Sequence, residues 1–223
     1  MVNYSYLKGF EPDYIRYDGD DDACYLLEKE GQRPLVVIGP HPVKSDLRMP
    51  DRNTYRLLKA LGDANHHLLS DLKYDSWAIL NVHPLRAEEF EPIDYSLKNH
   101  ALLQENICYI ANYLVSRDIG AVLLSWGENE TDTEMLNEAR KQIQDLLNEL
   151  GIEQYACSRN SSGEPISLFY AGNQAIQNAI IDMASTNKSK GSNINLDSNG
   201  LLKYKNIELV VVPERYFENN VVA

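Results

Sequence analysis

The sequence predicts an α/β fold in which a mainly parallel sheet is covered by helices on both faces. Short apolar runs alternate along the chain with segments whose apolar residues recur at helical spacing, and this alternation is typical of parallel strands joined by crossover helices. The 223 residues are 43% hydrophobic and 24% charged, so the chain can bury a sizeable core without disulfides or metals. The apolar runs are far shorter than the about 20 residues of a membrane-spanning helix, and we expect no membrane segment.

Residues 1–33 are the first segment, which we expect to form an N-terminal hairpin or extension. Tyr14–Tyr17 and Cys24–Leu27 are aromatic or apolar and flank the polar stretch Asp18–Asp22, which is a turn signal. The consecutive aspartates lack the alternating ligands and the distal glutamate of a calcium loop. We therefore predict a solvated turn there and no metal site in the chain.

Residues 34–184 carry the alternation and are predicted to form the α/β core domain. The first predicted strand, Leu35–Gly39, is a continuous apolar run, as in a parallel strand buried on both faces. The other predicted strands lie at Ser76–Val82, Gly120–Trp126 and Ile152–Ser158. Each is followed by a helical pattern, around residues 57–69, 102–114, 136–150 and 174–184. Thr131 or Asp132 is a candidate N-cap of the third helix.

Residues 185–193 are polar and are predicted to be a linker, and residues 194–223 a small C-terminal β appendage. Ser198-Asn199-Gly200 is a hairpin signal, and Ile207–Val212 is strongly strand-forming. Strand edges can pair with another chain. The appendage is therefore a predicted surface for a protein partner or for self-association.

Charge and cysteine content restrict the classes of partner and the location. Acidic residues outnumber basic ones 33 to 21, which gives a net charge of −12. Phosphate backbones attract Lys and Arg, so extended nucleic acid is a disfavoured partner, although such a charge can also serve solubility alone. The three cysteines are widely spaced, as expected of reduced thiols, and the N-terminus lacks a basic region followed by an apolar run. These features predict a cytoplasmic protein.

Several motifs of common enzyme classes are missing from the sequence. It contains no Gly-x-Gly-x-x-Gly after a strand, no Gly-x-x-x-x-Gly-Lys phosphate loop and no Gly-x-Ser-x-Gly elbow. Dehydrogenase, P-loop kinase and serine hydrolase functions are therefore disfavoured, and no cofactor is predicted.

The order of the elements predicts where a ligand would bind. Ligands of parallel α/β sheets lie beyond the carboxyl ends of the strands. The residues that directly follow the four predicted strands are His41, His83, Trp126 and the loop Ser158–Gly163. We expect these segments to meet around one pocket that takes a small molecule.

His41 and Asn81 are the predicted catalytic residues. Imidazole titrates near neutrality, so His41 could serve as a general base beside a water molecule; the alternative is a loop histidine that hydrogen-bonds to the backbone. The amide of Asn81 offers paired donor and acceptor atoms that suit the edge of a nucleobase. A structural cap at the strand exit is the alternative for Asn81.

Other residues of the exit segments are predicted to bind the ligand. Arg86 can bind a phosphate or carboxylate bidentately, or form a surface ion pair with Glu88 or Glu89. Asp51 can orient a polar ligand, or simply begin a helix, because acidic groups favour helix N-termini. The remaining predicted ligand-binding residues on these segments are Gly39, Pro40, Asp46, Arg56 and His83.

Trp126 and Gly127 end the third predicted strand. An indole can stack on a ring, and glycine permits the close approach of a ligand, so both are predicted to bind the ligand. The alternative for Trp126 is a place in the core.

Several of these segments together resemble one family. Leu35–Pro42, Asp51 with Thr54–Arg56, Ile79–Ala87 with Glu105-Asn106, and Ser125–Gly127 follow one another in the order and spacing of the domain of unknown function 1643 family. That family typically shows an apolar strand running into Gly-Leu-Asn-Pro-Ser, then Asp-x-Thr-x-Arg, an apolar strand into Asn-Leu, a Trp-Gly after a strand, and a late Gly-x-Pro-x-His-Pro. The resemblance spans about residues 23–172.

The first and last of these motifs are in turn similar to uracil-DNA-glycosylase-like folds. That resemblance implies a three-layer α/β/α domain around a four-stranded, mainly parallel sheet, in which one exit loop positions a water and a late His-Pro loop stabilises the departing base. Two positions depart from the pattern: His41 stands at the family asparagine, and Ser167-Leu168 stand where His-Pro is expected after Gly163–Pro165. Ser167 is accordingly predicted to bind the ligand.

These inferences predict a protein that binds or acts on a nucleobase- or nucleotide-like small molecule at the strand carboxyl ends. If it is an enzyme, the implied class is a glycosidic-bond hydrolase with altered catalytic motifs. The two altered motifs and the acidic balance favour an alternative, a catalytically inactive protein–protein interaction module of the same fold.

Overall fold

The computed structural model describes residues 4–17, 23–42, 45–85, 97–127, 134–186, 201–204 and 207–210. These residues contain strands β1 (Tyr14–Tyr17), β2 (Cys24–Lys29), β3 (Pro34–Gly39), β4 (Ser76–Asn81), β5 (Ala121–Leu124), β6 (Glu153–Ala156), β7 (Leu201–Tyr204) and β8 (Ile207–Val210). The helices are α1 (Arg52–His67), α2 (Leu97–Ser116), α3 (Glu134–Glu149) and α4 (Asn173–Thr186). The predicted α/β class is confirmed.

The main sheet has six strands in the order β1-β2-β4-β3-β5-β6. Strands β4, β3, β5 and β6 are parallel to one another, whereas β2 pairs antiparallel with β4 and β1 pairs antiparallel with β2. The prediction of a four-stranded sheet is therefore wrong, and the sheet is mixed.

The two additional strands come from the segment that was expected to be an N-terminal hairpin or extension. Leu26 and Leu27 of β2 are both buried, and they lie on opposite sides of the sheet, one in each hydrophobic core. Leu27 is paired with Ile79 of β4. Docking beside β4 thus removes both faces of this apolar strand from water, and burial of apolar surface is favourable.

A buried carboxylate joins β2 to α2. Glu28 is buried, and its side chain accepts a hydrogen bond of 2.9 Å from the Tyr113 hydroxyl. The Arg117 guanidinium lies 3.6 Å from the same carboxylate. Buried charges are tolerated when they are paired and hydrogen-bonded, so this contact helps to position β2 against the helix that covers it.

Alternate side chains of the central strands enter two separate cores. Val36 and Ile38 of β3 pack with residues of α2 and α3, while Leu35 and Val37 pack with residues of α1 and α4. This follows from the two-residue period of a strand. Helices thus lie on both faces of the parallel strands.

Strands β7 and β8 form a separate two-stranded antiparallel sheet. The expected hairpin at Ser198-Asn199-Gly200 lies outside the described residues, and β7 pairs antiparallel with β8. Helix α4 continues to Thr186, which is two residues into the predicted linker. The division of the chain into domains stays a prediction.

None of the described helices is long and apolar enough to cross a membrane.

Candidate functional site at the carboxyl edge of the sheet

The exits of three neighbouring parallel strands are joined by backbone hydrogen bonds. Beyond β4, Val82 N–H donates to the Gly39 carbonyl at 2.8 Å, and His83 N–H donates to the Pro40 carbonyl at 3.1 Å. Beyond β5, Ser125 N–H donates to the Ile38 carbonyl at 2.9 Å. The segments that the sequence predicted to meet therefore do lie side by side at one edge of the sheet.

A later loop closes against the exit of β5. The Ser125 hydroxyl accepts a hydrogen bond of 2.9 Å from Leu168 N–H. Gly127 has a φ of +67°, and a Cβ atom at this position would lie only 3.0 Å from Cβ of Ser167. Glycine is thus required here both by the left-handed backbone and by the close approach of the Ser167 loop.

The strand order places a topological switch point between β3 and β5. The chain passes from β3 to β4 on one side, and then returns to β5 and β6 on the other. In open α/β sheets the crevice outside such a point is the usual ligand site. The candidate site is therefore the edge formed by the exits of β3, β4 and β5 together with the Ser167 loop.

Asn81 and Gly39 are brought into contact within this site. They are paired at the ends of β4 and β3, and a Cβ on Gly39 would lie 3.1 Å from Oδ1 of Asn81. Asn81 is only 4% exposed, yet its amide makes no hydrogen bond to another residue that the structure describes. The small size of Gly39 therefore gives room to a nearly buried amide that has no described protein partner.

Asn106 on α2 holds the exit of β4 in place. This buried residue donates from Nδ2 to the carbonyls of Asn81 at 2.8 Å and Val82 at 3.0 Å. Within the described ranges its own Oδ1 accepts no hydrogen bond. Asn106 belongs to the Glu105-Asn106 segment of the family resemblance but was not among the predicted site residues. The feature of the sequence that could have identified it is a polar residue among the apolar positions of that helix.

The two histidines at the strand exits differ in accessibility and in their ring hydrogen bonds. His41 is partly buried, and its Nδ1 lies 3.4 Å from the Pro42 carbonyl. With the proton on Nδ1, Nε2 of His41 is a proton acceptor. His83 is fully buried, and its Nδ1 accepts a hydrogen bond of 3.2 Å from Leu85 N–H. Of the two, His41 is the one exposed enough to meet a ligand.

Asp46 and Asp51 serve the backbone of the loop that leads into α1. Oδ1 of Asp46 accepts hydrogen bonds from the N–H groups of Arg48 and Met49 at 2.7 and 2.8 Å. Asp51 is the N-cap of α1, and its Oδ1 accepts from Asn53 N–H at 2.6 Å and Thr54 N–H at 3.1 Å. The helix-starting alternative therefore describes what Asp51 does in this structure.

Arg56 also makes structural contacts. Its guanidinium donates to the carbonyls of Leu168 at 2.9 Å and Phe169 at 3.1 Å, to the Ala171 carbonyl, and to the Asn173 side chain at 3.2 Å. Arg56 thus ties α1 to the loop that begins at Ser167, and positions that loop at the edge of the site.

Trp126 is part of the core rather than of the site surface. It is 0% exposed and packs in the core on the α2 and α3 side. Its indole N–H donates to Glu164 at 3.3 Å. No face of the ring is open for stacking on a ligand, so the core alternative describes this residue. Arg86 lies outside the described residues.

The cysteines and the metal-binding side chains add no reactive centre in the described part of the chain. Burial raises the pKa of Cys157, just beyond β6, to about 11, so its thiol is protonated at neutral pH and a poor nucleophile. No group of three or more His, Cys, Asp or Glu side chains in the described residues could hold a metal ion.

The fold and the site together define an α/β protein with a candidate ligand site at the topological switch point of a mixed sheet. The family model described as "Protein of unknown function (DUF1643)" matches residues 25–166. The chain belongs to this family, as its motifs predicted. No curated protein and no solved structure matches the chain.

Proposed function

We propose that the protein binds a nucleobase- or nucleotide-like small molecule at the carboxyl edge of its sheet. The observation that carries the proposal is the Asn81 amide, which is nearly buried at the switch point and has no hydrogen-bond partner among the described residues. Neither amide atom of Asn81 is among the fully buried side-chain atoms that lack a partner, so both atoms remain accessible at the site. A ligand can therefore hydrogen-bond to this amide without displacing a protein partner.

The chemistry of an amide favours a nucleobase as this ligand. Asn81 presents one acceptor and two donor positions in one plane, which matches the adjacent donor and acceptor atoms at the edge of a base. The orphaned Oδ1 of the buried Asn106, which is bonded to the same strand exit, supports the idea that a further donor completes this region.

His41 gives the proposed site a group that can accept a proton. If the ligand is a nucleoside, Nε2 of His41 takes a proton from water, the water oxygen bonds to the sugar carbon, and the bond from that carbon to the base nitrogen breaks. The departing base keeps the electron pair and is stabilised by a hydrogen bond from the Asn81 amide. The Pro42 carbonyl beside Nδ1 of His41 supports the tautomer that this step needs.

Three further features belong to the same proposal. The order β4-β3-β5-β6 of the parallel strands supports a similarity to uracil-DNA-glycosylase-like folds. A similar fold does not by itself imply the same activity. The net charge of −12 supports a small ligand over extended nucleic acid. The three cysteines, Cys24, Cys108 and Cys157, form no disulfide, which supports a cytoplasmic location.

Calorimetric titration tests the proposal. The four common nucleobases and their nucleosides are titrated into the wild-type protein, Asn81→Ala, and a control in which an exposed asparagine of α4 is changed, Asn178→Ala. At least one base or nucleoside is expected to bind to wild type and to Asn178→Ala. Because the lost hydrogen bonds are each worth about 1–3 kcal/mol, Asn81→Ala is expected to bind that ligand at least about fivefold more weakly.

The same samples test hydrolysis through the appearance of free base, measured by chromatography. His41→Gln is expected to bind the nucleoside but to release no base. The absence of binding by every base and nucleoside, or equal affinities for Asn81→Ala and Asn178→Ala, would contradict the proposal.

The alternative, a non-catalytic interaction module, has one supporting observation. Strands β7 and β8 form a two-stranded sheet beside α2, and within the described residues each strand pairs only with the other, so each leaves an edge that could pair with another chain. A protein partner, or a second copy of the chain, that pairs with this sheet would stabilise it. A blank ligand titration would favour this alternative.

A further inference from the structure

Exposed apolar side chains concentrate in two loops beside the candidate site. Five large apolar residues in the described part of the chain are exposed, and four of them lie in these loops. Leu47 and Met49 belong to the loop 45–50 before α1, and Phe169 and Tyr170 belong to the loop 167–172 before α4. We call these two segments the rim loops. Clustered apolar exposure of this kind marks a binding surface.

Contacts made by two arginines of α1 hold the rim loops near each other. The Arg52 guanidinium lies 5.8 Å from the centroid of the Phe169 ring, which is within cation–π range. Arg56 donates to the carbonyls of Leu168 and Phe169. Because Met49 is three residues before Arg52, their Cα atoms are at most about 11 Å apart.

The same surface carries positive charge in an otherwise acidic protein. Arg48 and Arg52 are exposed, and neither forms an ion pair with a carboxylate that the structure describes. The nearby Asp46 and Asp51 carboxylates accept backbone N–H groups instead. In a chain with a net charge of −12, these two exposed guanidinium groups, four residues apart in the sequence, are the candidate groups for binding an anion at this rim.

The rim loops adjoin the edge where Asn81 lies. Phe169 follows Ser167 by two residues, and Ser167 contacts Gly127 at the exit of β5. The loop 45–50 leads from the exit of β3 into α1, and β3 ends in Gly39, which is paired with Asn81. The rim loops and Asn81 therefore belong to the same edge of the sheet, which is the arrangement that a nucleotide bound by both would need.

We propose that the ligand of this site is phosphorylated: Arg48 and Arg52 bind the phosphate of a nucleotide whose base is held at Asn81. This inference rests on the proposed function, and it adds that a nucleotide is preferred to the corresponding nucleoside. Guanidinium groups bind phosphate through charge-assisted hydrogen bonds. The Phe169 ring beneath Arg52 restricts that side chain, which lowers the entropy lost on binding.

Calorimetric titration of matched ligand pairs tests the inference. Each of the four common nucleosides is compared with its 5′-monophosphate and 5′-diphosphate, and inorganic pyrophosphate is titrated separately. The variants are Arg48→Gln, Arg52→Gln and Asn81→Ala, with Lys59→Gln as a control because Lys59 is an exposed cation of the same helix. Wild type and Lys59→Gln are expected to bind the preferred nucleotide about tenfold more tightly than its nucleoside.

Arg52→Gln is expected to remove most of that preference while leaving the affinity for the nucleoside unchanged, and Arg48→Gln to do the same more weakly. The preference is expected to decline as salt is added. Equal affinities of wild type for nucleoside and nucleotide would overturn the inference but leave the proposed function standing. Binding of pyrophosphate that depends on Arg52, without binding of any nucleoside or nucleotide, would contradict the proposed function and the shared site. Saturable capture of single-stranded oligonucleotides with no mononucleotide binding would also overturn the inference.

Discussion

Replacing Asp51 by alanine tests the account of how α1 and the loop before it are held. The carboxylate accepts two helix N–H groups, from Asn53 and Thr54. It also accepts the hydroxyl of Thr54 at 2.9 Å and the hydroxyl of Ser45. Both hydroxyl-bearing residues are buried, so the variant removes a helix cap and a buried acceptor together.

The magnitude follows from these four contacts. Loss of an N-cap typically costs about 1 kcal/mol. The Ser45 and Thr54 hydroxyls lie 2.9 Å apart and can still bond to each other, so only one buried donor is left without a partner, at about 1–2 kcal/mol. Asp51→Ala is therefore expected to lower the free energy of unfolding by about 2–3 kcal/mol.

Urea unfolding followed by circular dichroism measures this change. Asp63→Ala is the matched control, because Asp63 is an exposed carboxylate in the same helix and its removal is expected to change the free energy of unfolding by less than about 0.5 kcal/mol. Asp51→Ser keeps a capping oxygen and is expected to recover about half of the loss. If Asp51→Ala is as stable as Asp63→Ala, the hydrogen-bond network does not hold the loop as described.

Two other predictions concern stability. Gly127→Ala places a Cβ atom at a φ of +67° and 3.0 Å from Cβ of Ser167, whereas Gly151 has a φ of +65° and open space around it. The left-handed backbone alone costs roughly 1–2 kcal/mol at either position, so Gly127→Ala should lower the free energy of unfolding by more than Gly151→Ala does. Equal losses in urea unfolding would refute the contact with Ser167. For Asp75, burial raises the pKa, but hydrogen bonds from two backbone N–H groups and from Ser76 outweigh it and hold the pKa below its usual value. Stability from this carboxylate is present above the pKa of the unfolded chain and is lost as the pH falls through the folded value. Asp75→Asn should therefore show a smaller drop in the free energy of unfolding than wild type as the pH is lowered below about 4, and identical pH profiles would count against these bonds.

The central strands could be predicted because their signal is local. Leu35–Gly39 was predicted and β3 is Pro34–Gly39, and Ser76–Val82 was predicted and β4 is Ser76–Asn81. A continuous apolar run that ends in Gly-Pro or His-Pro indicates, within a few residues, both that the strand is buried and where it ends. No knowledge of the partner strand was needed.

The extension of the sheet could not be predicted in the same way. Cys24–Leu27 was predicted to be an apolar segment of a hairpin, and β2 is Cys24–Lys29. Its antiparallel docking on β4 depends on residues about 50 positions later in the chain. The docking of β2 is long-range, so local patterns do not resolve it.

Within the site, residue types indicated candidates but not their roles. Asp51 and Arg56 have the charges of ligand-binding residues, yet the structure gives them a helix cap and a loop clamp. Ser125 and Asn106 hold the strand exits in place, and both are single polar residues whose partners lie far away in the sequence. Their roles become visible only when those partners are known.

The sequence by itself determined the class of fold, the positions of the parallel strands and the edge at which their exits gather, because apolar periodicity and strand-ending residues act over a few positions. Only the tertiary structure decided which exit residues face the site. Trp126 and His83 are enclosed by the core, whereas Asn81 remains a nearly buried amide beside Gly39. Whether a side chain is buried depends on all the atoms packed around it. Those atoms belong to segments that are far apart in the sequence, so a local sequence pattern does not reveal them.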